Sequence, residues 1–213
     1  MSHLAAIGFF SVGCSLSAAA EGAGYAPQAS QDYPQNVYWG DTHLHTRNSA
    51  DAYSLGNENL TPIDAYRFAR GQEILAHNGM RVRLKRPLDF LVVSDHAEYL
   101  GGYYRYNVDD PMVTETAAGK QWSGYIAEGS PEKMMASFVD SMSEAPTNPP
   151  FPDATQSYIW ADVARTADEY NVPGLFTAFS GYEWTSMIDG NNLHRVVVYR
   201  DAADKVVQRP PFN

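Results

Sequence analysis

Two histidines separated by one residue follow an apolar and aromatic run in the stretch Tyr38-Trp-Gly-Asp-Thr-His-Leu-His-Thr46. If Tyr38 to His43 is a strand, side chains alternate between its two faces, so His43 and His45 point the same way. Two imidazoles placed side by side can bind one metal ion. A His-x-His pair alone is a short pattern that also occurs among ordinary surface and core histidines. The metal interpretation therefore depends on further ligands elsewhere in the chain.

Three more strand-like runs lead into, or follow, a residue type that binds metals. Leu88 to Ser94 is nearly continuously apolar at its centre, as in a parallel strand buried on both faces, and Asp95-His96 comes next. Leu175 to Tyr182 leads directly into Glu183, and Arg195 to Tyr199 follows a histidine. Barrel enzymes place their polar residues where the carboxyl ends of parallel strands meet. We therefore expect the following side chains to converge on one pocket: His43, His45, His96, Glu183 and His194.

Helix signals lie between these strands, and alternation of strands with helices predicts an α/β fold with a parallel sheet or barrel. Thr61 is expected to cap a helix whose first position is Pro62. A second helix is expected over Pro131 to Met142, with Ser130 as its cap. A third, longer helix is expected from Asp153 or Thr155 to about Tyr170.

The remaining segments contain turn and loop signals. Asn78-Gly79 separates two short strand-like runs within Glu73 to Leu84, which predicts a hairpin with a tight primed turn. His77 lies beside this turn and is interpreted as a surface residue. Residues 37–42 are expected to form the first strand, and residues 46–60 a polar loop.

Composition restricts the class of protein. The chain has 213 residues, of which 44% are hydrophobic and 19% charged, a balance that suits one sizeable globular core. Its net charge is −10. Nucleic acid backbones are bound through Lys and Arg, so this acidic balance argues against a nucleic acid partner.

The amino terminus resembles an export signal. An apolar run from Leu4 is followed by small residues, and Ala18-Ala-Ala20 fits a small-x-small cleavage site. We expect a signal peptide over residues 1–20 and a Gly-, Ala- and Pro-rich linker over residues 21–36, hence a periplasmic or secreted protein. The run is too short for a membrane span. A lipid anchor on Cys14, the single cysteine, is the alternative, although Ser11-Val-Gly13 is an imperfect approach to such an anchor.

The ordered motifs resemble those of the PHP (polymerase and histidinol phosphatase) superfamily of metal-dependent phosphoesterases. Asp41-Thr-His-Leu-His-Thr46 with Ser49-Ala-Asp51 resembles the first motif of that family, and Leu88 to His96 resembles the second. Phe179-Ser-Gly-Tyr-Glu183 resembles the third. Asp95-His-Ala-Glu-Tyr-Leu-Gly101 is similar to a large exported branch of the superfamily that is labelled a domain of unknown function.

This resemblance implies a ligand set. His43 and His45 would bind one metal ion, and Glu183 would bridge it to a second ion that is held partly by His194. A third ion would lie at Asp51 and His96. The resemblance also implies that two carboxylates orient neighbouring ligands rather than bind an ion directly, namely Asp41 and Asp95.

The chain departs from the family pattern at its end. PHP barrels take further ligands from later strands, including a final Asp-x-His pair, and no such pair follows the fourth strand candidate here. Four strands do not close a seven-stranded barrel. We therefore expect the first half of a PHP-like distorted (β/α) barrel with open edges over residues 37–213. A long helical insertion is expected over about residues 101–173. The complete site is expected only in a longer protein.

The leading functional hypothesis is a metal-dependent hydrolase of phosphate esters or related sulfate esters, with two or three Zn, Mn or Fe ions that activate a water. Glu183 and Asp51 are the residues assigned to catalysis. Hydrolysis of C–N bonds by an amidohydrolase type of site is one alternative. A metal-binding fragment without catalytic activity, lacking the late ligands, is the other.

A small anionic ester is the expected substrate. Arg47, Arg105 and Arg195 are possible contacts for its charge, although the favoured interpretation of each is an exposed arginine without this role. The aromatic stretch Tyr99 to Tyr106 immediately follows a ligand strand, so it is expected to line the pocket mouth. Its members Tyr103 and Tyr104 would then contact the organic leaving group, and the alternative is packing beneath the insertion helices.

Overall fold

In the computed structural model, which describes residues 36–212, six strands and eight helices make up the regular structure. The strands are β1 (Gly40–Leu44), β2 (Ile74–Leu75), β3 (Arg81–Val82), β4 (Phe90–Val93), β5 (Thr177–Ile188) and β6 (Asn191–Val198). The helices are α1 (Ala50–Ser54), α2 (Pro62–Ala69), α3 (Gly102–Asn107), α4 (Pro111–Thr114), α5 (Ala117–Ala127), α6 (Glu132–Ser141), α7 (Asp153–Tyr170) and α8 (Ala203–Val206). The predicted signal peptide over residues 1–20, and all but the last residue of the predicted linker, lie outside the described part.

The main sheet has the strand order β1-β4-β5-β6 and is curled like part of a barrel wall. β4 runs parallel to both β1 and β5, as the α/β pattern predicts. The expectation of a fourth parallel strand is wrong, because β6 is antiparallel to β5. The reason is a two-residue turn at Asp189-Gly190, whose φ angles of 52° and 76° suit the tight primed turn of a hairpin. β5 therefore continues to Ile188 and turns back on itself.

The first strand begins later than residues 37–42 would place it. It covers Gly40–Leu44, and Gly40 is the residue that pairs with Phe90 at the start of β4. A Cβ at Gly40 would lie 2.4 Å from the Phe90 carbonyl oxygen, so this close approach needs glycine. Trp39 precedes the strand and donates its amide to the Asp89 side chain at 2.7 Å. The start of β4 thus sets where β1 begins.

Two local predictions are confirmed and two are corrected. Thr61 and Asp64 form a reciprocal capping box at the start of α2, with Pro62 in the first turn. β2 and β3 form the expected antiparallel hairpin, but its turn is closed by the Gly79 amide donating to the Ala76 carbonyl, with Gly79 at a φ of 84°. The loop is therefore one residue longer than a primed Asn-Gly turn. The predicted polar loop over residues 46–60 contains the short helix α1.

Helices α2 and α7 cover one face of the parallel strands. The predicted long helix is confirmed as α7, and its stripe of Ile159, Val163 and Ala167 is buried. Ala167 joins Tyr66 of α2 and Leu91 of β4 in one apolar cluster. This packing fixes β4 and β5, and with them the edge of the sheet where their carboxyl ends lie.

The segment over about residues 101–173 contains five helices, α3 to α7, where two were expected. The expected second helix is α6, although Ser130 contributes only its backbone carbonyl to the Lys133 amide and not a side-chain cap. Trp122 of α5 is buried at the centre of this segment. It makes edge-to-face contacts, with ring centroids 5.0–5.7 Å away, with four aromatic rings: Tyr99, Tyr103, Tyr106 and Phe151.

For Tyr99 and Tyr103, this aromatic cluster corrects the expectation that the stretch Tyr99 to Tyr106 lines a pocket mouth. Tyr99 and Tyr103 are buried core residues, and the Tyr103 hydroxyl donates to the Met134 carbonyl. The Tyr99 hydroxyl donates to the Pro149 carbonyl at 2.9 Å. A five-helix segment has its own core to fill, and these rings fill it. Across residues 36–212, no helix combines the length and apolar character needed to cross a membrane.

Candidate metal centre

The carboxyl edge of the parallel strands brings the predicted histidines and Glu183 together. After β4 ends, the chain continues beside β5, where His96 forms an isolated parallel bridge with Glu183. The Glu183 amide donates to the Asp95 carbonyl at 3.0 Å. Glu183 was expected at a strand end and instead lies within β5, three residues beyond Ser180, the last residue paired with β4. It nevertheless stands at the edge of the parallel part, because only the β5–β6 hairpin extends further.

Both carboxylate oxygens of Glu183 face imidazole nitrogens. His43 Nε2 and His45 Nε2 lie 2.9 Å and 2.7 Å from Oε2, and His194 Nδ1 lies 2.6 Å from Oε1. His96 Nε2 is 3.8 Å from Oε2. The Glu183 side chain itself is only 2% exposed. A single buried carboxylate is therefore the common neighbour of all four histidines.

The electrostatics keep Glu183 ionised. Burial acts to raise the pKa of Glu183, but the hydrogen bond with His43 and the charges of His96 and His45 outweigh it and hold the pKa below its ordinary value. For His45, burial acts to lower the pKa, whereas the hydrogen bond and charge of Asp51 raise it above its ordinary value. The cluster is thus an anion surrounded by groups that can also bind a cation through their nitrogen lone pairs.

Within residues 36–212 the side chains form three overlapping groups whose donor atoms lie within 4.8 Å of one another. Glu183 belongs to two of these groups. The groups are His43, His45 and Glu183; His45, Asp51 and His96; and His96, Glu183 and His194. Mixed imidazole and carboxylate donors at this spacing suit a divalent ion with ligand distances of about 2.0–2.2 Å. His45 Nε2 is also buried without a hydrogen-bond partner and lies 2.7 Å from Glu183 Oε2, so one cation bound by both atoms would satisfy it.

The short helix α1 positions Asp51. Asp51 Oδ1 accepts a hydrogen bond from the Ser49 hydroxyl at 2.6 Å and lies 3.2 Å from His45 Nδ1. Its other oxygen is 3.7 Å from His96 Nε2. Burial acts to raise the pKa of Asp51, but the hydrogen bonds with His45 and Ser49 lower it strongly. A carboxylate that sequence reasoning assigned to a loop is therefore held at the cluster by a helical turn.

The two aspartates that were expected to orient neighbours lie beside the ligand-bearing backbone. The Asp41 carboxylate accepts the His43 amide at 2.8 Å. Asp95 is buried and accepts the amide and the hydroxyl of Thr46, the hydroxyl at 2.8 Å. Burial raises the pKa of Asp95 to about 6 despite these hydrogen bonds. Among the described residues, neither aspartate belongs to the three donor groups.

The expected substrate contacts are not brought together as a set. The Arg47 guanidinium lies 3.5 Å over the ring of Tyr104, so these two do meet. Arg105 forms ion pairs at 3.1 Å with Asp110 and Asp162. Two of the expected contacts lie elsewhere, Tyr103 in the aromatic core and Arg195 exposed on β6. His77, which was interpreted as a surface residue, is exposed beside the hairpin turn.

Sequence reasoning missed the polar residues that surround the ligands. Ser49 contacts His45 Nδ1 at 2.9 Å, and its hydroxyl oxygen accepts the His96 amide at 3.2 Å. Thr185 Oγ1 lies 3.0 Å from His96 Nδ1 and 3.1 Å from His194 Nδ1. A usable signal existed for Thr185, which stands two residues after Glu183 and therefore on the same face of β5.

Comparison with models of protein families identifies the family of this chain. The model of the family described as "Protein of unknown function (DUF3604)" matches residues 32–213, which is most of the chain. Neither a curated protein nor a solved structure matches it significantly. The chain belongs to the DUF3604 family.

Proposed function

We propose that this chain is a metal-dependent hydrolase of phosphate esters or related sulfate esters. The observation that carries the proposal is the overlap of three donor groups around Glu183. A single carboxylate has two oxygens and can contact two cations, whereas one imidazole nitrogen contacts one. The two carboxylate oxygens of Glu183 face different histidines: Oε2 faces His43 and His45, and Oε1 faces His194. Such sharing is what a multinuclear hydrolytic site requires.

Two or three ions of Zn, Mn or Fe are the proposed cofactors. His43 and His45 with Glu183 would hold one, His194 with Glu183 a second, and Asp51 with His96 a third. Imidazole with carboxylate suits these borderline metals better than Ca, which prefers oxygen ligands alone. Ions bound there would lower the pKa of a water and polarise an ester oxygen.

The exposure and the charge of individual side chains also bear on the proposed reaction. His43 and His194, with 55% and 36% of their side chains exposed, leave one side of the cluster open to a small ester. Asp51 is partly exposed and has a lowered pKa, so it stays ionised at neutral pH and would help to hold a cation. In the overall reaction water adds across the ester linkage, and the alcohol leaves with one proton.

The PHP relationship and export remain part of this proposal. The order of the motifs supports a PHP-like site, and the curled sheet with its three parallel strands is compatible with part of a PHP-like barrel wall. The apolar run and small residues before Glu21 support export.

The test is metal analysis combined with hydrolysis assays on Glu183→Gln and His77→Ala. Glu183→Gln keeps the shape but removes the charge, so we expect loss of at least one bound metal and near-complete loss of hydrolysis, with the circular dichroism spectrum retained. His77 is exposed on the hairpin, and His77→Ala should change neither property. Full metal content in Glu183→Gln, or metal loss in His77→Ala, would overturn the assignment.

The substrate assays distinguish the alternatives. Hydrolysis of an aryl phosphate or an aryl sulfate supports the proposal and identifies the ester type. Hydrolysis of an amide with neither ester turned over favours a C–N hydrolase. Full metal binding without turnover of any of the three favours a non-catalytic metal protein.

A further inference from the structure

The two ring nitrogens of His96 face different surroundings. Nε2 points into the cluster, 3.7 Å from Asp51 Oδ2 and 3.8 Å from Glu183 Oε2. Nδ1 points the opposite way, 3.0 Å from Thr185 Oγ1 and 3.3 Å from Glu98 Oε2. Phe138 packs edge-on against the ring with centroids 5.2 Å apart. The imidazole is therefore enclosed, and only Nε2 is directed toward the other donors.

Glu98 is a buried carboxylate that the proposed reaction does not use. It is 1% exposed, and its Oε1 accepts the backbone amide of Thr185 at 3.0 Å. Its Oε2 is buried and makes no hydrogen bond of good geometry within the described residues, although His96 Nδ1 stands 3.3 Å away. A buried carboxylate oxygen is costly unless a donor faces it, and the His96 ring supplies the nitrogen nearest to that role.

We propose that Glu98, assisted by Thr185, is a positioning residue that fixes His96 with its proton on Nδ1 and its lone pair on Nε2. This inference rests on the proposed metal centre. An ionised carboxylate only accepts hydrogen bonds, so an imidazole nitrogen that faces it carries the proton. The opposite nitrogen is then free to bind a cation. Carboxylate partners of this kind also raise the basicity of histidines that bind metal ions.

The substitution Glu98→Gln separates this role from simple packing, because Gln has nearly the same shape. The Thr185 amide requires an oxygen at the Oε1 position, which leaves the Gln amide nitrogen facing His96 Nδ1. Two donors would then oppose each other, so His96 is expected to move its proton to Nε2. The lone pair would be lost from the cluster side.

The experiment has a readout that needs no metal. Chelator-treated wild type and Glu98→Gln, both with isotopically labelled histidine, are compared by nitrogen NMR, and the His96 signals are identified by their absence in His96→Asn. We expect the Nδ1–H form in wild type and the Nε2–H form in Glu98→Gln. Glu169→Gln makes the same chemical change at an exposed position of α7 and should leave the spectrum of His96 unchanged.

Zinc affinity, measured by competition with a chelator, is the second readout. Glu98→Gln should bind zinc about 10- to 100-fold more weakly than wild type, the usual effect of removing such a partner. An unchanged His96 tautomer in folded Glu98→Gln would overturn the positioning role. If the variant does not fold, the wild type alone decides, since a proton on Nε2 of its His96 would also overturn it. A tautomer change without zinc binding by wild type would instead uphold the positioning role and contradict the proposed metal centre.

Discussion

The two sides of the candidate metal centre differ in how they are held. His96 and Glu183 form a floor, with side chains 4% and 2% exposed. His43 and His194 form a rim, and both are exposed. The floor residues touch further buried polar groups, whereas the His43 ring contacts Glu183 and the neighbouring His45 ring. The difference teaches that the fold preorganises the floor and leaves the rim able to adjust to a ligand.

The strand order explains this difference. β4 and β5 are the two inner strands of the described sheet. Glu183 lies on β5, and His96 lies on the segment that follows β4. The rim comes from β1 and from β6, which end the strand order. Inner strands are packed on both sides, so their polar residues need partners within the protein. On the two end strands, His43 and His194 keep part of their side chains in water.

The largest expected effect comes from His96→Ala. It removes a buried ring and leaves Glu98 Oε2 without its neighbouring nitrogen, so the free energy of unfolding should fall by about 3 kcal/mol. Urea unfolding in the presence of a chelator measures this effect without any contribution from bound metal. A loss below about 1 kcal/mol, in the range of exposed sites, would mean that the floor is not preorganised.

A smaller effect is expected from Gly181→Ala, which lies on β5 two residues before Glu183. A Cβ there would lie 2.4 Å from Val92 Cγ1 and 2.8 Å from the Val197 carbonyl oxygen. Overpacking of this kind costs about 1–3 kcal/mol, and the displaced β5 should also weaken zinc binding through Glu183. Gly124→Ala is the matched control, since its Cβ meets nothing within 4 Å and lies in α5, so stability should rise by about 0.5–1 kcal/mol. Equal changes in the two variants would contradict the close packing at Gly181.

The smallest effect on stability is expected at the rim. His43→Ala should lower the free energy of unfolding of metal-free protein by about 1 kcal/mol, because the side chain is about half exposed and its hydrogen bond with Glu183 is lost. It should nevertheless reduce the rise in melting temperature that added zinc produces, since a ligand is lost. Differential scanning calorimetry with and without zinc measures both. An undiminished rise would remove His43 from the ligand set.

The sequence alone determined the elements whose signals are local. The Thr61 cap of α2 and the apolar stripe of α7 depend on residues within one or a few turns, so they could be predicted directly. The buried run of β4 was equally clear, because a strand covered on both faces is apolar throughout. The convergence of His43, His96 and Glu183 followed from the shared edge of parallel strands.

Only the tertiary structure decided what lies around those ligands. Glu98 and Thr185 are 87 residues apart and meet through one backbone amide, which no short pattern reveals. The burial of Tyr103 depended on Trp122 packing against it. The antiparallel return of β6 placed His194 opposite Thr185 and beside Glu183. Local sequence specifies which residues can bind or cap, but burial and long-range hydrogen bonds specify which atoms of those residues remain free to act.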